Sequence, residues 1–219
     1  MAKMQLGIFD WNGTLLDDML LSFVCLVETF TRYRVPVPTL SEYRNEIYHG
    51  VTRFYQTRGL QHYVNKDHAK EIRKRLYREL CKQSHLRPHT EEVLVKLRSM
   101  GIKIALVTGE DHAVLQDTLL RLKIENFFDH IESEVPTNKE PAICNMMNRF
   151  NVLSENTFFV EDSPGNIKIG KELGITTIGI MGGHAPDDAV SYASPHFLID
   201  SLTLIPTILE TIHASREKD

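Results

Sequence analysis

Cysteine is scarce in this 219-residue chain: Cys25, Cys81 and Cys144 lie far apart and are odd in number. Neither a disulfide framework nor a cysteine-rich zinc site is indicated. Long hydrophobic runs are missing too. The longest apolar stretch, Met19 to Val27, is interrupted by Ser22 and falls well short of the ~20 residues of a membrane span. Charge of one sign does not dominate, with 25 Lys and Arg against 29 Asp and Glu and a formal net charge of -4. No basic stripe interleaved with aromatics provides an electrostatic footprint for nucleic acid. The basic stretch Lys70, Arg73, Lys74, Arg75 and Arg78 alternates with Glu71 and Glu79 and reads as a solvated helix face. Met1-Ala2-Lys3-Met4 leads into a short apolar run without the h-region of a signal peptide. The expectation is a cytoplasmic protein with neither membrane nor nucleic acid as partner.

With 42% hydrophobic residues, the chain is suited to one good-sized domain or a domain with a smaller insert. Gln5 to Phe9 is an apolar run without helical spacing, as in a buried parallel strand. From Leu16 the apolar positions Leu16, Leu20, Phe23, Val27 and Phe30 recur at steps of four and three, predicting an amphipathic helix. Val35-Pro36-Val37-Pro38 breaks it. Ser41 offers a helix cap, and Asn65 or Asp67 opens a charged helix carrying Ile72, Leu76 and Leu80. Residues from about 16 to 84 therefore read as all-helical.

Downstream, strand and helix alternate. Helices are expected over Glu91–Met100 (stopped by Gly101), His112–Leu122 and Glu140–Phe150. Strands are expected over Ile102–Val107, His130–Glu132, Thr157–Val160, Thr176–Ile180 and Phe197–Ile199. That alternation implies an α/β fold with a mostly parallel sheet covered on both faces. The predicted architecture is a three-layer, Rossmann-like parallel sheet core (1–15 and 86–219) with an inserted all-helical cap (16–85). Ligands of such sheets bind at the carboxyl ends of the strands.

Four polar clusters occupy or follow such positions. Asp10 stands where the first strand stops and reads as a nucleophile that forms an aspartyl-phosphate. The alternative for Asp10-Trp11-Asn12-Gly13 is a hairpin turn, opposed by the helical pattern after Gly13. Thr108-Gly109 ends the second core strand and offers a hydroxyl and an amide to phosphate oxygens, or else caps the next helix. Lys139 would offset charge on nucleophile and phosphate, or else is an ordinary loop lysine. Glu161-Asp162 ends a buried strand, where paired acids are costly unless they bind something. Mg²⁺ suits such carboxylates; the alternative has Asp162 capping a helix.

Taken in order, Asp10-Trp11-Asn12-Gly13-Thr14, Val107-Thr108-Gly109, Lys139 and Val160-Glu161-Asp162-Ser163-Pro164-Gly165-Asn166 resemble the haloacid dehalogenase-like (HAD) phosphohydrolases along essentially the whole chain. The helical insert resembles the small cap of the phosphoglycolate phosphatase and β-phosphoglucomutase-like branch. The resemblance implies a Mg²⁺-dependent phosphatase of a small phosphorylated metabolite. Asp10 would be the nucleophile, Thr108 with Gly109 the phosphoryl-binding turn, and Lys139 the group that orients and screens Asp10. Asp10, Asp162, Glu161 and the backbone carbonyl of Asn12 would hold the metal. On the cap, Arg53, and less so Tyr55 and Arg58, are the candidates for contacting the substrate; the alternative for Arg53 is an ordinary surface arginine on a helix. Substrate identity and oligomeric state stay open.

Two residues depart from the family's pattern. Asn12 replaces the aspartate expected to protonate the leaving group and activate water, a loss worth roughly 10²–10⁴-fold in rate. Asn166 stands where an acid usually supports the metal site or the lysine. Three readings of Asn12 follow: a phosphohydrolase that is slow or limited to good leaving groups, a residue exchanged so as to trap a phosphoenzyme, or a degenerate member that binds without turnover. Asn12-Gly13 is also a deamidation sequence, and conversion would create the absent aspartate if the turn were mobile.

Overall fold

The computed structural model describes residues 3–64 and 68–216. The chain runs through β1 (Leu6–Phe9), β2 (Leu16–Asp17), α1 (Met19–Arg32), α2 (Leu40–Ile47), α3 (Val51–Tyr55), α4 (Gln61–Val64), α5 (His68–Leu80) and β3 (His85–Leu86). It continues through α6 (Thr90–Ser99), β4 (Lys103–Val107), α7 (His112–Leu122), β5 (His130–Glu132), α8 (Glu140–Phe150), β6 (Thr157–Glu161), α9 (Pro164–Glu172), β7 (Thr176–Ile180), α10 (Asp187–Tyr192), β8 (Phe197–Ile199) and α11 (Leu204–Arg216).

Six strands form one sheet in the order β5-β4-β1-β6-β7-β8, and every pairing in it is parallel. The central strands read as continuous apolar runs because both of their faces are covered. Alternate residues serve opposite layers: Phe9, Ile104, Leu106, Phe158 and Val160 join one hydrophobic cluster, while Leu6, Ile8, Ala105, Val107 and Phe159 join the other. This is the expected α/β fold. The order of the strands puts β1 between β4 and β6, so the residues that follow Phe9, Val107 and Val160 meet at one edge.

The helices between residues 19 and 80 bury a core of their own, including Leu26, Phe30, Tyr43, Ile47, Phe54, Tyr55 and Leu60. Three details depart from the expectations. Leu16 is not helical; it pairs with Leu86 in the antiparallel ribbon β2–β3, because the chain turns back within Trp11–Leu16 through Leu16 N–H donating to Trp11 O at 2.9 Å. The helix α1 therefore starts later and its buried face is Ser22, Cys25, Leu26, Thr29 and Phe30, leaving Leu20 59% exposed. The cap of α2 is Thr39, not Ser41: Thr39 and Glu42 form a reciprocal capping box, the better of two hydroxyl candidates because only Thr39 has an acid three residues on. The expected helix start at Asn65 or Asp67 lies outside the described residues.

Candidate active site

Parallel strands deliver three acids to one spot. Asp10 follows β1, Glu161 ends β6 and Asp162 comes next; each offers an oxygen within 4.8 Å of the others, and all three are buried. Lys139, at the start of α8, is likewise buried and donates to Asp10 and, at 2.9 Å, to Glu161 Oε2. The loop-lysine alternative is thereby excluded. Glu161 Oε1 also accepts from the backbone N–H groups of Asp162 and Ser163 at 3.1 and 3.0 Å. Asp162 does not cap α9, whose flanking residue is Ser163; its Oδ2 accepts from His184 N–H at 2.6 Å.

Two glycines make room for that carboxylate. Gly13 has φ +75°, and a Cβ there would strike Asp162 and the His184 ring; one on Gly183 would overlap Asp162 as well. Arg87 joins the same two loops, donating to Gly13 O at 2.7 Å and Met181 O at 2.6 Å.

Burial governs the electrostatics. It pushes Asp10 up to about 6, aided by Glu161 and opposed by Lys139. Glu161 rises to about 7 by burial, again opposed by Lys139. Asp162 is raised by burial and by Asp10. For Lys139 burial works against the charge, yet Asp10 and Glu161 outweigh it and hold the ammonium protonated. Three hard oxygen donors short of positive charge fit a cation such as Mg²⁺.

Asn12 is not idle in this setting. Its amide nitrogen donates to Asp18 Oδ2 at 3.1 Å, Tyr77 Oη at 3.0 Å and Glu110 Oε2 at 3.0 Å, and Thr108 Oγ1 donates to its Oδ1 at 3.4 Å. The nitrogen of Asn12 thus faces three acceptors while Thr108 donates to its oxygen, an arrangement that favours an amide over a carboxylate. Thr108 is fully buried and accepts from Glu110 N–H at 3.1 Å; it does not cap α7, a role taken by Asp111. Gly13 N–H donates to Asp18 Oδ1 and Leu16 O, so the nitrogen that must attack Asn12 Cγ during deamidation is held. We expect peptide mapping of the native protein incubated at pH 8 to find Asn12 intact, and the urea-unfolded chain to deamidate; equal rates in both would contradict this.

Five residues of the site escaped the sequence reading. Asp18, Tyr77, Glu110 and His184 form one network: Tyr77 Oη donates to Asp18 at 2.7 Å, and His184 bridges Asp18 (Nε2, 3.1 Å) and Tyr43 (Nδ1, 2.9 Å). Burial would raise Asp18, but the His184 charge and the hydrogen bonds from His184, Tyr77 and Asn12 bring it to about 2. Burial raises Glu110. Arg73, the fifth, was assigned to a solvated face. It is instead half-buried and lines a cavity of about 630 Å³ above the acids. Its spacing of four from both Ala69 and Tyr77, which are buried, was the available signal.

That cavity also borders Asp10, Asn12, Gly109, Lys139, Glu161 and Asp162. Arg53, exposed midway along α3, also borders it. Arg58 does not: it is bound to Glu42 and Glu46, and Tyr55 is buried in the helical core. Asn166 lines the cavity from the first turn of α9.

The site joins a parallel α/β core, a strand-end aspartate, a buried lysine and paired acids on the neighbouring strand, a set that could hold a metal ion. Residues 7–180 match the model of the haloacid dehalogenase-like hydrolases, and the chain belongs to that family. It is similar to the phosphoglycolate phosphatase of Vibrio cholerae, at 26% identity over 98% of this chain and 100% of the relative. The phosphoglycolate phosphatase of Pseudomonas putida is 25% identical over 92% of this chain and 79% of its own length. A haloacid dehalogenase-like family hydrolase from Streptococcus pneumoniae shares the fold with a TM-score of 0.81 at 20% identity, over 94% of this chain and 98% of that one. Among the described residues no helix is long and apolar enough to cross a membrane.

Proposed function

We propose that the protein is a Mg²⁺-dependent phosphatase of a small phosphorylated metabolite, acting through a phospho-Asp10 intermediate. The observation that carries this reading is the buried cluster of Asp10, Glu161 and Asp162 clamped by Lys139 at the floor of an open cavity. An Asp10 oxygen attacks phosphorus as the bond to the leaving oxygen breaks. Water then attacks the aspartyl-phosphate, releasing inorganic phosphate and restoring Asp10. Lys139 keeps Asp10 ionised and aimed, and the Thr108-Gly109 turn holds the phosphoryl oxygens. Asp10, Asp162, Glu161 and the carbonyl of Asn12 would hold Mg²⁺, which supplies charge stabilisation to the transferring group. Arg53 contacts the substrate from the cap. The cap comprises 16–85 and the core 1–15 with 86–219, and cap closure excludes water. Similarity to phosphoglycolate phosphatases supports a small, anionic substrate.

Asn12 cannot transfer a proton at neutral pH, so leaving groups that need none, such as acyl phosphates, are favoured. The hydrogen bonds that fix Asn12 as a donor favour a second reading: a long-lived phosphoenzyme or ligand complex without turnover. The test is phosphate release with Mg²⁺ from phosphoglycolate, sugar phosphates, nucleotides, acetyl phosphate and p-nitrophenyl phosphate, with Asp10→Ala as blank. Release that EDTA abolishes and the blank lacks is expected, fastest from acetyl phosphate. A stoichiometric acid-stable label on Asp10 without release would instead support the second reading.

A further inference from the structure

Several of the cap's described cations are paired. Arg58 holds Glu42 and Glu46, Arg44 reaches Asp187, and Lys74 and Arg78 both contact Asp111. Arg73, on the cavity wall, is not among them. It is half-buried, yet among the described residues no carboxylate lies within ion-pair distance, and its short-range neighbour is the Tyr77 ring, 5.7 Å from the guanidinium carbon. Tyr43, Tyr55 and Tyr77 surround it electrostatically, with Glu110 as the acid that acts on it from further away. Glu110 itself is engaged by Asn12 and by the Asp111 N–H.

A partly desolvated guanidinium without a counter-ion is costly. Its planar fork suits a carboxylate or phosphate taken in bidentate fashion. Position along α5 sets where that anion would lie. Tyr77, one turn on, touches Asp18 and Asn12 beside the acids, so Arg73 stands about 6 Å from it along the helix, on the wall of the same cavity. Arg53 is also unpaired among the described residues but exposed at the cavity's edge, where water competes for it.

Resting on the phosphatase reading, we propose that Arg73 is a specificity-determining residue: it selects phosphorylated substrates by binding a second anionic group, carboxylate or phosphate, on the leaving group. The test is calorimetric binding with Mg²⁺ of 3-phosphonopropionate, propane-1,3-diphosphonate and propylphosphonate, which has no second anion. The parent protein should bind one or both doubly anionic probes more tightly than propylphosphonate. Arg73→Gln should remove that margin, about 10- to 100-fold, and leave propylphosphonate within about threefold. The carboxylate and phosphate arms identify which anion is preferred. Arg73→Lys, which keeps the charge but not the fork, should reduce the margin several-fold, and serves alone if the Gln variant does not fold. The proposal is overturned by no margin in the parent, a margin that neither variant reduces, or equal weakening of all probes. Turnover of p-nitrophenyl phosphate by the parent and Arg73→Gln is read separately. Its absence in both counts against the phosphatase reading without touching the binding result.

Discussion

Lys139→Met is expected to destabilise the metal-free protein by about 3–5 kcal/mol at pH 8, the cost of removing one partner from a buried ion pair. For a chain of this length that corresponds to a fall in Tm of about 6–20 °C. Asp10 and Glu161 sit at about 6 and about 7 even with the ammonium between them. Without it, three buried carboxyl groups face one another, and a remaining positive charge, on His184, acts on Asp162. Methionine retains most of the stem and removes the ammonium, which also lies 5.9 Å from the centre of the Phe159 ring, so the loss reports charge more than volume. The pH dependence follows from the sign of the shifts. Both acids are raised in the folded state, so the native protein binds more protons than the unfolded chain between about pH 4 and pH 7. Stability from this source is therefore greatest at low pH and declines as pH rises through the folded values. Losing Lys139 moves those values up and extends the decline. Urea unfolding should show the gap between parent and variant at least halved at pH 5.5 relative to pH 8. A gap independent of pH would mean that Lys139 acts by packing. Millimolar Mg²⁺ should also narrow the gap, since a cation bound only by the folded state stabilises it by mass action.

The sequence displays the sheet and the acids of the site for one physical reason. Parallel strands buried on both faces must be short apolar runs, so the polar residue that ends each run stands out: Asp10 after Phe9, Thr108 after Val107, Glu161 after Val160. Lys139 was legible only from its order among those clusters, since nothing in Thr137-Asn138-Lys139-Glu140 distinguishes a buried loop lysine from a solvated one. The remainder depends on where the cap docks. His184 meets Asp18 and Tyr43 across separations of 166 and 141 residues, and no local pattern encodes such a meeting. Asp17 and Asp18 are adjacent identical acids, yet Asp17 points outward at the end of β2 while Asp18, just past it, is buried. Arg73 was hidden by composition: in a run of basic residues, one on the buried stripe resembles its neighbours until the helix phase is fixed by Ala69 and Tyr77.

Asn12→Asp is the substitution for which sequence and structure lead to different expectations. By family resemblance it restores the absent proton carrier and should raise turnover. In the folded protein the new carboxylate would take the place of an amide that donates to Asp18, Tyr77 and Glu110. It would forfeit those bonds and set a third acid beside two others. We expect the single variant to lose about 2–4 kcal/mol at pH 8, from unsatisfied buried acceptors and like-charge contact. The introduced acid would have a raised folded-state pKa, so this loss should fade as pH falls toward the ordinary carboxylate range. Glu110, already raised by burial, is the group to change with it. Glu110→Gln turns an acceptor into a donor facing position 12, so Asn12→Asp combined with Glu110→Gln exchanges amide and acid across the same contact. The double variant should recover at least half of the lost stability. Its release of phosphate from alkyl phosphates should exceed the parent's by about 10²–10⁴-fold, the worth of a positioned general acid and base, with a smaller gain on acetyl phosphate, whose leaving group needs no proton. Denaturant unfolding and initial rates on the two substrates would decide it. A double variant no more stable than the single one would show that Glu110 is not the partner that excludes an acid from position 12. A stable double variant without faster release from alkyl phosphates would show that proton transfer at position 12 does not limit this site.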